Sequence, residues 1–267
     1  MVDEEVIKLY IHLSLIPGLG PVSQNALLNL AGSVEGCFEL LEEELMRRYR
    51  ETDRKLQPER IRMLTVARGS ETLRKEASEI YERCLKADIS VITSQHEQYP
   101  ERFRSAPGIP VLLYIIGDLK INSYSRSVGI VGARRCSSEA KQKAIELTTA
   151  MASEGIAIVS GLAKGIDSYA HTAAIKSGGY TIAVMGSGPE ICYPKEHAAL
   201  YERICAEGCI LSEYRPGIPL RRFHFPERNR LIAALSDELI VAEAGRNSGT
   251  DSTVQAFERF GREVQYL

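Results

Sequence analysis

This chain of 267 residues has no closely spaced cysteine pairs and no long apolar runs, and its net charge is small. None of the six cysteines lies in a C-x-x-C pair, which disfavours a zinc site or a redox centre, and we expect reduced thiols. No apolar stretch approaches membrane-spanning length, and the acidic start at Asp3 lacks the basic segment of a signal peptide. We therefore expect a cytoplasmic protein that does not associate with a membrane.

The formal net charge is only −2, so the whole molecule supplies no attractive field for nucleic acid. Any affinity of that kind must come from a local basic patch. Common nucleotide-binding motifs are missing too: no G-x-G-x-x-G follows a strand, and no G-x-x-x-x-G-K-[ST] occurs. We therefore expect neither NAD nor ATP, and no cofactor or metal ion.

Strands and helices alternate through the second part of the chain. Hydrophobic residues make up 44% of the sequence and charged residues 25%, as in a folded globular protein. The expected strands span residues 128–132, 156–160, 181–186, 209–212, 239–242 and 263–266, after earlier ones at 89–93 and 111–116. Each of the middle strands leads through a polar loop into a helical pattern, which predicts βαβ units around a buried parallel sheet. In such a sheet the loops at Gly132, Ser160, Gly186 and Gly245 should gather on one edge, where open α/β sheets bind ligands.

The first part of the chain reads as short helices. We expect them at residues 5–15, 23–30, 34–41, 58–68 and 71–87, and place a domain boundary between domains 1–87 and 88–267. Between the first two helices lies IPGLGP, with Gly18 and Gly20. Such a turn brings the backbone close to a phosphate in helix-hairpin-helix modules, but it also connects helices without any ligand. Both interpretations remain open here.

The stretch VGIVGARRCSS places two arginines at the end of a predicted strand. The strand breaks at Gly132 and passes through Arg134 and Arg135 to a helix beginning near Ser137. Free backbone N–H groups and aligned peptide dipoles at a helix start attract anions. This corner is therefore a candidate anion site.

The segment SGLAKGID follows the next strand. Gly161 allows a tight turn, and Lys164 places a cation beside it. Asp167 is positioned to cap the following helix, and His171, one turn later, could pair with Asp167. Whether such a pair is structural or catalytic stays open, because the spacing fixes no nucleophile.

Arginines and phenylalanines are interleaved in RRFHFPERNR. Basic residues provide partners for phosphates and aromatic rings stack on unpaired bases, so this segment suits single-stranded nucleic acid. The alternative is that Phe225 enters the core and the arginines form a solvated face. If Pro226 opens a helix, Arg228 lies near its N-terminus, where a cation opposes the helix dipole unless an anion is held there.

A last corner follows the strand at 239–242. Gly245, Asn247, Ser248 and Gly249 offer small side chains and free amides before another helix. This is the composition of a phosphate cradle, although a Gly-Ser corner is also a common plain connection.

Taken together, these segments resemble the DprA/Smf family of DNA-processing proteins. The resemblance rests on GARRCSS, SGLAKGIDSYAH, GGYTIAVMGSG, the YP of CYPKEH, LSEY, FPERNRLIAALS and the SGT of NSGTDST, in this order. It implies an α/β fold: an extended Rossmann-like, mostly parallel sheet with a small N-terminal helical domain of the SAM or helix-hairpin-helix type. It also implies a homodimer that binds single-stranded DNA without sequence preference and helps load RecA recombinase in natural transformation.

The family's motifs fall on particular residues of this chain. They suggest roles for Arg134, for Ser160 with Gly161, for Arg222 and for Phe225. The complete set of expected DNA contacts is Arg134, Arg135, Ser160, Gly161, Lys164, Arg222, Phe225, Arg228, Arg230, Ser248 and Gly249.

There are departures from the family pattern. The first corner reads Gly-Ala-Arg, which lacks a hydroxyl donor, and Asp251 stands near the proposed cradle. The sequence also ends after the last expected strand, so we expect no C-terminal winged-helix domain within it.

Two other classes of protein remain as alternatives. Nucleoside-monophosphate phosphoribohydrolases share a similar fold, but the glutamate of their glycine-rich loop falls on Thr253 here, so the carboxylate for glycosidic chemistry is missing. A small-nucleotide carrier would explain the glycine loops without any catalysis. We expect a DNA-binding protein that is not an enzyme.

Overall fold

The computed structural model describes residues 3–52, 56–104, 106–244 and 249–267. These residues form two compact units. One contains the chain up to Tyr99 together with Pro107–Leu113, and the other contains Pro100–Ala106 with Tyr114–Leu267. The boundary between domains 1–87 and 88–267 stays a prediction.

The first unit is mostly helical. Its elements are α1 (Glu4–Leu15), α2 (Pro21–Ala31), α3 (Val34–Glu39), α4 (Glu42–Arg50), α5 (Pro58–Ala67), α6 (Glu71–Lys86) and strand β1 (Ser90–Thr93). Asp3, Ser33 and Ser70 each accept a hydrogen bond from a first-turn amide, which explains three of the helix starts. Helix α4 was not predicted: it is short, most of its residues are charged, and it buries only Leu45.

The turn between α1 and α2 requires a glycine for backbone reasons. Gly18 has a φ of 80°, in the left-handed region that side chains disfavour. Its carbonyl accepts a hydrogen bond from the Arg60 guanidinium at 2.6 Å. The turn thus explains Gly18 without a ligand, and phosphate binding by this segment stays a prediction.

The second unit alternates strands and helices, as the sequence predicted. Its strands are β2 (Leu112–Gly117, whose first two residues belong to the first unit), β3 (Ser127–Gly132), β4 (Ala157–Ser160), β5 (Thr181–Met185), β6 (Cys209–Ser212), β7 (Glu238–Ala242) and β8 (Val264–Tyr266). Its helices are α7 (Glu101–Arg104), α8 (Ser138–Ser153), α9 (Ile166–Lys176), α10 (Ala198–Glu207), α11 (His224–Leu235) and α12 (Thr250–Arg259). Among the described residues, no helix is long and apolar enough to cross a bilayer.

The strands form an eight-stranded sheet in the order β1-β2-β6-β5-β4-β3-β7-β8. All neighbours from β6 to β8 run parallel, whereas β2 runs antiparallel to β6. This arrangement confirms the predicted α/β, Rossmann-like and mostly parallel sheet. The central strands β4, β5 and β6 are buried along their whole length, which explains why their sequences are continuous apolar runs rather than alternating ones.

Strand β3 marks the point where the chain reverses its direction of travel across the sheet. From β3 the chain proceeds to β4, β5 and β6 on one side, and it then returns to β7 and β8 on the other side. Because these strands are parallel, the loops that follow Gly132, Ser160 and Met185 emerge at the same carboxyl edge, as predicted. Gly245, predicted at the same edge, lies outside the described residues. Open α/β sheets bind ligands at such a switch point, which here lies between β3 and β7.

Candidate nucleic-acid interface

A cleft of about 520 Å³ opens at this switch point. It is lined by residues 131–135 at the end of β3, by Ala163 and Asp167, by one side of α11, and by the start of α12. The cleft therefore gathers residues from most of the loops that the sequence singled out.

Gly132 brings the ends of two strands together at the base of the cleft. A side chain at this position would overlap the carbonyl oxygen of Ala242 on β7. The amide of Ala133 donates a hydrogen bond to the carbonyl of Glu243 at 2.8 Å, which holds the two strand ends in place. The predicted corner thus depends on glycine because the backbones approach closely.

Arg134 and Phe225 meet in the cleft although 90 residues separate them in sequence. The guanidinium carbon of Arg134 lies 5.0 Å from the centre of the Phe225 ring, within cation–π distance. Arg134 and Arg135 are exposed, and the Phe225 side chain is half-buried. Phe225 is thus neither wholly in the core nor fully in solvent, and both residues line the cleft.

The start of α8 already holds a carboxylate, which the sequence did not indicate. Glu243 accepts hydrogen bonds from the amide and the hydroxyl of Ser137, both at 2.7 Å, and these bonds lower the pKa of Glu243. Ser137 in turn caps the helix by accepting a bond from Ala140 at 3.1 Å. The expectation of several free amides at this corner is corrected, because Glu243 and the Ser137 side chain occupy part of that site.

Asp167 supports the loop after β4 instead of capping its own helix. Helix α9 begins at Ile166, and the Asp167 carboxylate accepts hydrogen bonds from the amides of Gly161 at 3.1 Å and Ala163 at 3.4 Å. Burial raises its pKa, although Arg228 and these amides act in the opposite direction. The capping prediction was wrong because Asp167 lies inside the first turn of the helix, and its carboxylate binds amides of the preceding loop instead.

His171 holds the same loop from a second position. Its Nε2 accepts the amide of Leu162 at 3.3 Å, and its Nδ1 lies 2.7 Å from the Thr181 hydroxyl. Complete burial lowers the pKa of His171 to about 3, so the ring is neutral at physiological pH. Both ring nitrogens of His171 are engaged in these contacts, so His171 does not pair with Asp167 as expected. The two side chains instead bind neighbouring amides of the same loop: His171 binds Leu162, and Asp167 binds Gly161 and Ala163.

Ser160 does not present its hydroxyl to the cleft. The side chain is buried and donates a hydrogen bond to the carbonyl of Ile130 on β3 at 2.6 Å. The hydroxyl therefore joins β4 to β3 in this structure, and the expected DNA contact at Ser160 stays a prediction.

Arg228 is buried, with only 4% of its surface exposed, and it forms a brace, a side chain that links the loop after β4 to strand β5. Its guanidinium donates to the carbonyls of Gly161, at 2.7 Å, and Val184, and its Nε donates to Asn229 at 3.0 Å. Burial lowers its pKa to about 10, and Asp167 acts in the opposite direction. Because α11 begins at His224, Arg228 lies inside the helix, where the carbonyls of Gly161 and Val184 accept its hydrogen bonds and the Asp167 carboxylate supplies the opposite charge. Arg228 thus has a structural role in this fold while it also lines the cleft, and the expected DNA contact at this residue stays a prediction.

Two other expected DNA contacts are engaged in ion pairs. Arg230 binds Glu213 at 2.5 Å in a partly buried pair. Lys164 binds Glu196 at 2.6 Å in an exposed pair. Arg222 is exposed on the segment that precedes α11. The arginines that the structure presents most openly among the expected contacts are therefore Arg134, Arg135 and Arg222.

The predicted cradle after β7 is described only in part. Ser248, Gly245 and Asn247 lie outside the described residues. Gly249 is exposed, and its carbonyl accepts a hydrogen bond from Asn229 at 3.0 Å. Asn229 thus fastens the start of α12 to α11, a role that sequence reasoning missed because the two segments are distant in sequence.

The similarity to known proteins covers the part of the chain that contains the cleft. The family model for DNA recombination-mediator protein A matches residues 90–267. DNA processing protein DprA of Streptococcus pneumoniae is 42% identical over 166 residues, which cover 62% of this chain and 58% of that protein. DprA of Bacillus subtilis is 39% identical over 177 residues, covering 66% and 59%. The chain thus spans less than two thirds of the length of these relatives.

Solved structures agree with the sequence comparison. The crystal structure of S. pneumoniae DprA has a TM-score of 0.77 at 31% identity and covers 98% of this chain and 85% of its own. A structure of DNA processing protein A from Helicobacter pylori, described for its single-stranded DNA binding mode, has a TM-score of 0.62 at 31% identity. It covers 67% of this chain and 80% of its own. On these matches, the chain belongs to the DNA recombination-mediator protein A family, the DprA/Smf family of DNA-processing proteins.

Proposed function

We propose that this protein binds single-stranded DNA at the cleft between β3 and β7, without preference for sequence. The observation that carries the proposal is the contact between Arg134 and Phe225, because it places an exposed cation against an aromatic ring in a cleft. Single strands need both groups, since phosphates bind cations and unstacked bases bind flat apolar surfaces. Every base has such a flat face, so this chemistry is independent of sequence.

The residues divide into those that contact DNA and those that shape the cleft. Arg134, Arg135 and Arg222 supply charge for phosphates, and Phe225 supplies the stacking surface. Gly249, at the start of α12, adds backbone amides beside the cleft. Arg228, with Asp167 and His171, holds the loop after β4, so these residues act on DNA through the position of that loop.

We propose that this binding involves no catalytic step. The position at which phosphoribohydrolases carry a glutamate is Thr253, whose side chain is 1% exposed at the edge of the cleft. A threonine cannot take the part of a carboxylate in glycosidic chemistry. This supports a binding protein over the enzyme alternative.

Family membership supports the remaining parts of the proposal. We infer that the protein acts as a homodimer, that it helps load RecA recombinase onto the bound strand, and that it serves DNA uptake by natural transformation. We place it in the cytoplasm. All six cysteines are free, as is usual in a reducing compartment.

Fluorescence anisotropy with labelled oligo-dT tests the central proposal. We expect tight binding to single strands of different sequence, weaker binding to a duplex of the same length, and no hydrolysis of nucleoside monophosphates. Equal affinity for single strands and duplex, or turnover of a nucleotide without DNA binding, would contradict it.

A further inference from the structure

Tyr193 is a second aromatic neighbour of Phe225. The centres of the two rings lie 6.3 Å apart, and the ring planes are inclined by 58°. Tyr193 lies on the loop that follows β5, and 48% of its surface is exposed. It is the tyrosine of CYPKEH, a motif for which the proposed function so far offers no role.

The two rings are in tilted contact with each other, as is usual for aromatic pairs whose centres lie about 4.5–7 Å apart. A base stacked on both sides requires two gaps of about 3.4 Å, or about 7 Å between parallel rings, so it enters only when Tyr193 leaves this contact and turns parallel to Phe225. Tyr193 has the freedom for such a change, because its side chain is exposed and exposed side chains change rotamer within nanoseconds.

The position of the Arg134 charge also suits a bound nucleotide. The Arg134 guanidinium lies 5.0 Å from the centre of the Phe225 ring, so a cation stands beside this aromatic pair. A nucleotide whose base enters between the rings brings its own phosphate into the neighbourhood of this cation. The aromatic pair and the arginine thus match the two halves of one nucleotide.

We propose that Tyr193 is the second wall of a base slot, in which one unstacked nucleobase of a single strand lies between the rings of Tyr193 and Phe225. The slot rests on the proposed function and adds a residue and a mode of binding to it. It accepts any base, because stacking uses the ring face, and it excludes paired bases, which cannot leave their own stack without cost.

Oligonucleotides with and without bases provide the test. Oligo-dT and an abasic oligonucleotide of equal length carry the same phosphates, so the ratio of their affinities measures the contribution of the bases. The wild-type protein should prefer oligo-dT. Tyr193→Ala should lose about tenfold in affinity for oligo-dT while its affinity for the abasic strand stays the same. Tyr193→Phe should retain the wild-type ratio, because it keeps the ring.

Controls separate the slot from general effects. Tyr266 on β8 is also an exposed tyrosine, with 65% of its surface exposed, and Tyr266→Ala should leave the ratio unchanged. Tyr193→Leu keeps apolar bulk without a ring, so it should behave like Tyr193→Ala if stacking is the cause. The melting curves of the Tyr193 variants should match that of the wild-type protein, because the Tyr193 side chain is half exposed and contributes little to the core.

Two results would overturn the proposal, and they differ. If folded Tyr193→Ala and Tyr193→Leu both keep the wild-type preference for oligo-dT, the slot is absent while single-strand binding stands. If the wild-type protein binds neither oligonucleotide, the proposed function falls and the slot falls with it.

Discussion

Arg134 combines two contacts within one side chain. In the free protein its guanidinium covers a face of the Phe225 ring, and its exposed position also makes it available to a phosphate. A planar guanidinium suits both partners, whereas a lysine ammonium is a strongly hydrated point charge.

Replacing Arg134 tests its phosphate contact. Arg134→Ala should weaken the binding of oligonucleotides of every sequence. It should also reduce the slope of log K against log salt by about 0.7, the change for one lost phosphate contact on a single strand. Arg203→Ala is a matched control, since Arg203 is an exposed arginine of the same unit that pairs with Glu207 on α10. An unchanged slope in a folded Arg134 variant would remove this residue from the site.

Phe225 should contribute through stacking rather than charge. Phe225→Ala is expected to lower the affinity for single strands by roughly one to two decades, because stacking provides ~1–3 kcal/mol per base. The salt slope should stay the same, since a phenylalanine releases no counterions. Titrations at several salt concentrations, together with a melting curve, measure both quantities.

The same variant distinguishes stacking from core packing. Truncating a phenylalanine that lies wholly in the core lowers the free energy of unfolding by ~3–5 kcal/mol. Truncating the half-buried Phe225 should lower it by less. Phe260→Ala is a suitable control, because Phe260 is half-buried beside the Arg262 guanidinium at 5.8 Å. Strong destabilisation with normal affinity in the folded fraction would place the stacking site elsewhere.

At the scale of elements, the loop between β4 and α9 is held from three directions. Asp167 binds the amides of Gly161 and Ala163, His171 binds the amide of Leu162, and Arg228 binds the carbonyl of Gly161. The loop is therefore fixed before any ligand arrives, which reduces the entropy lost on binding.

Gly161→Ala tests the brace made by Arg228. A methyl group at this position would overlap the Arg228 guanidinium, which is buried and bonded to the carbonyls of Gly161 in the loop and Val184 on β5. We expect a loss of about 1–3 kcal/mol in the free energy of unfolding, as for other overpacked interiors. Urea denaturation of the variant measures this loss. Gly69→Ala is the control, because no heavy atom lies within 4 Å of the added carbon there; equal stability of the two variants would contradict the brace.

At the scale of the whole molecule, the proposed DNA binding has to work against a slightly unfavourable total charge. The formal net charge is −2, so in this proposal the attraction for DNA comes from the few arginines that the cleft and its surroundings expose. The sheet makes this concentration possible, because parallel strands deliver successive loops to one edge.

The salt dependence of the wild-type protein tests this local patch. If Arg134, Arg135 and Arg222 each neutralise one phosphate, log K should fall against log salt with a slope of about −2, or about 0.7 per contact. Affinities measured between about 50 mM and about 200 mM salt give this slope. A value near zero would exclude phosphate recognition at the cleft, and a much steeper value would require cations beyond these three.

The sequence alone predicted the alternation of strands and helices, the parallel sheet and the edge at which the loops meet. These features depend on local patterns: apolar runs, glycine corners and caps, each contained within a few neighbouring residues. Helix α4 escaped prediction, since its apolar face is confined to a short and highly charged segment that buries only Leu45.

The individual partners of the charged residues could be read only from the tertiary structure. Nothing local distinguishes the buried Arg228, which bonds to Gly161 67 residues away, from the exposed Arg222 in the same segment. Glu243 likewise reaches Ser137 across 106 positions. A side chain's hydrogen-bonding partners depend on which distant segments the fold brings beside it, so the sequence could point to the arginines, while only the packing of the sheet showed which of them bind other parts of the protein.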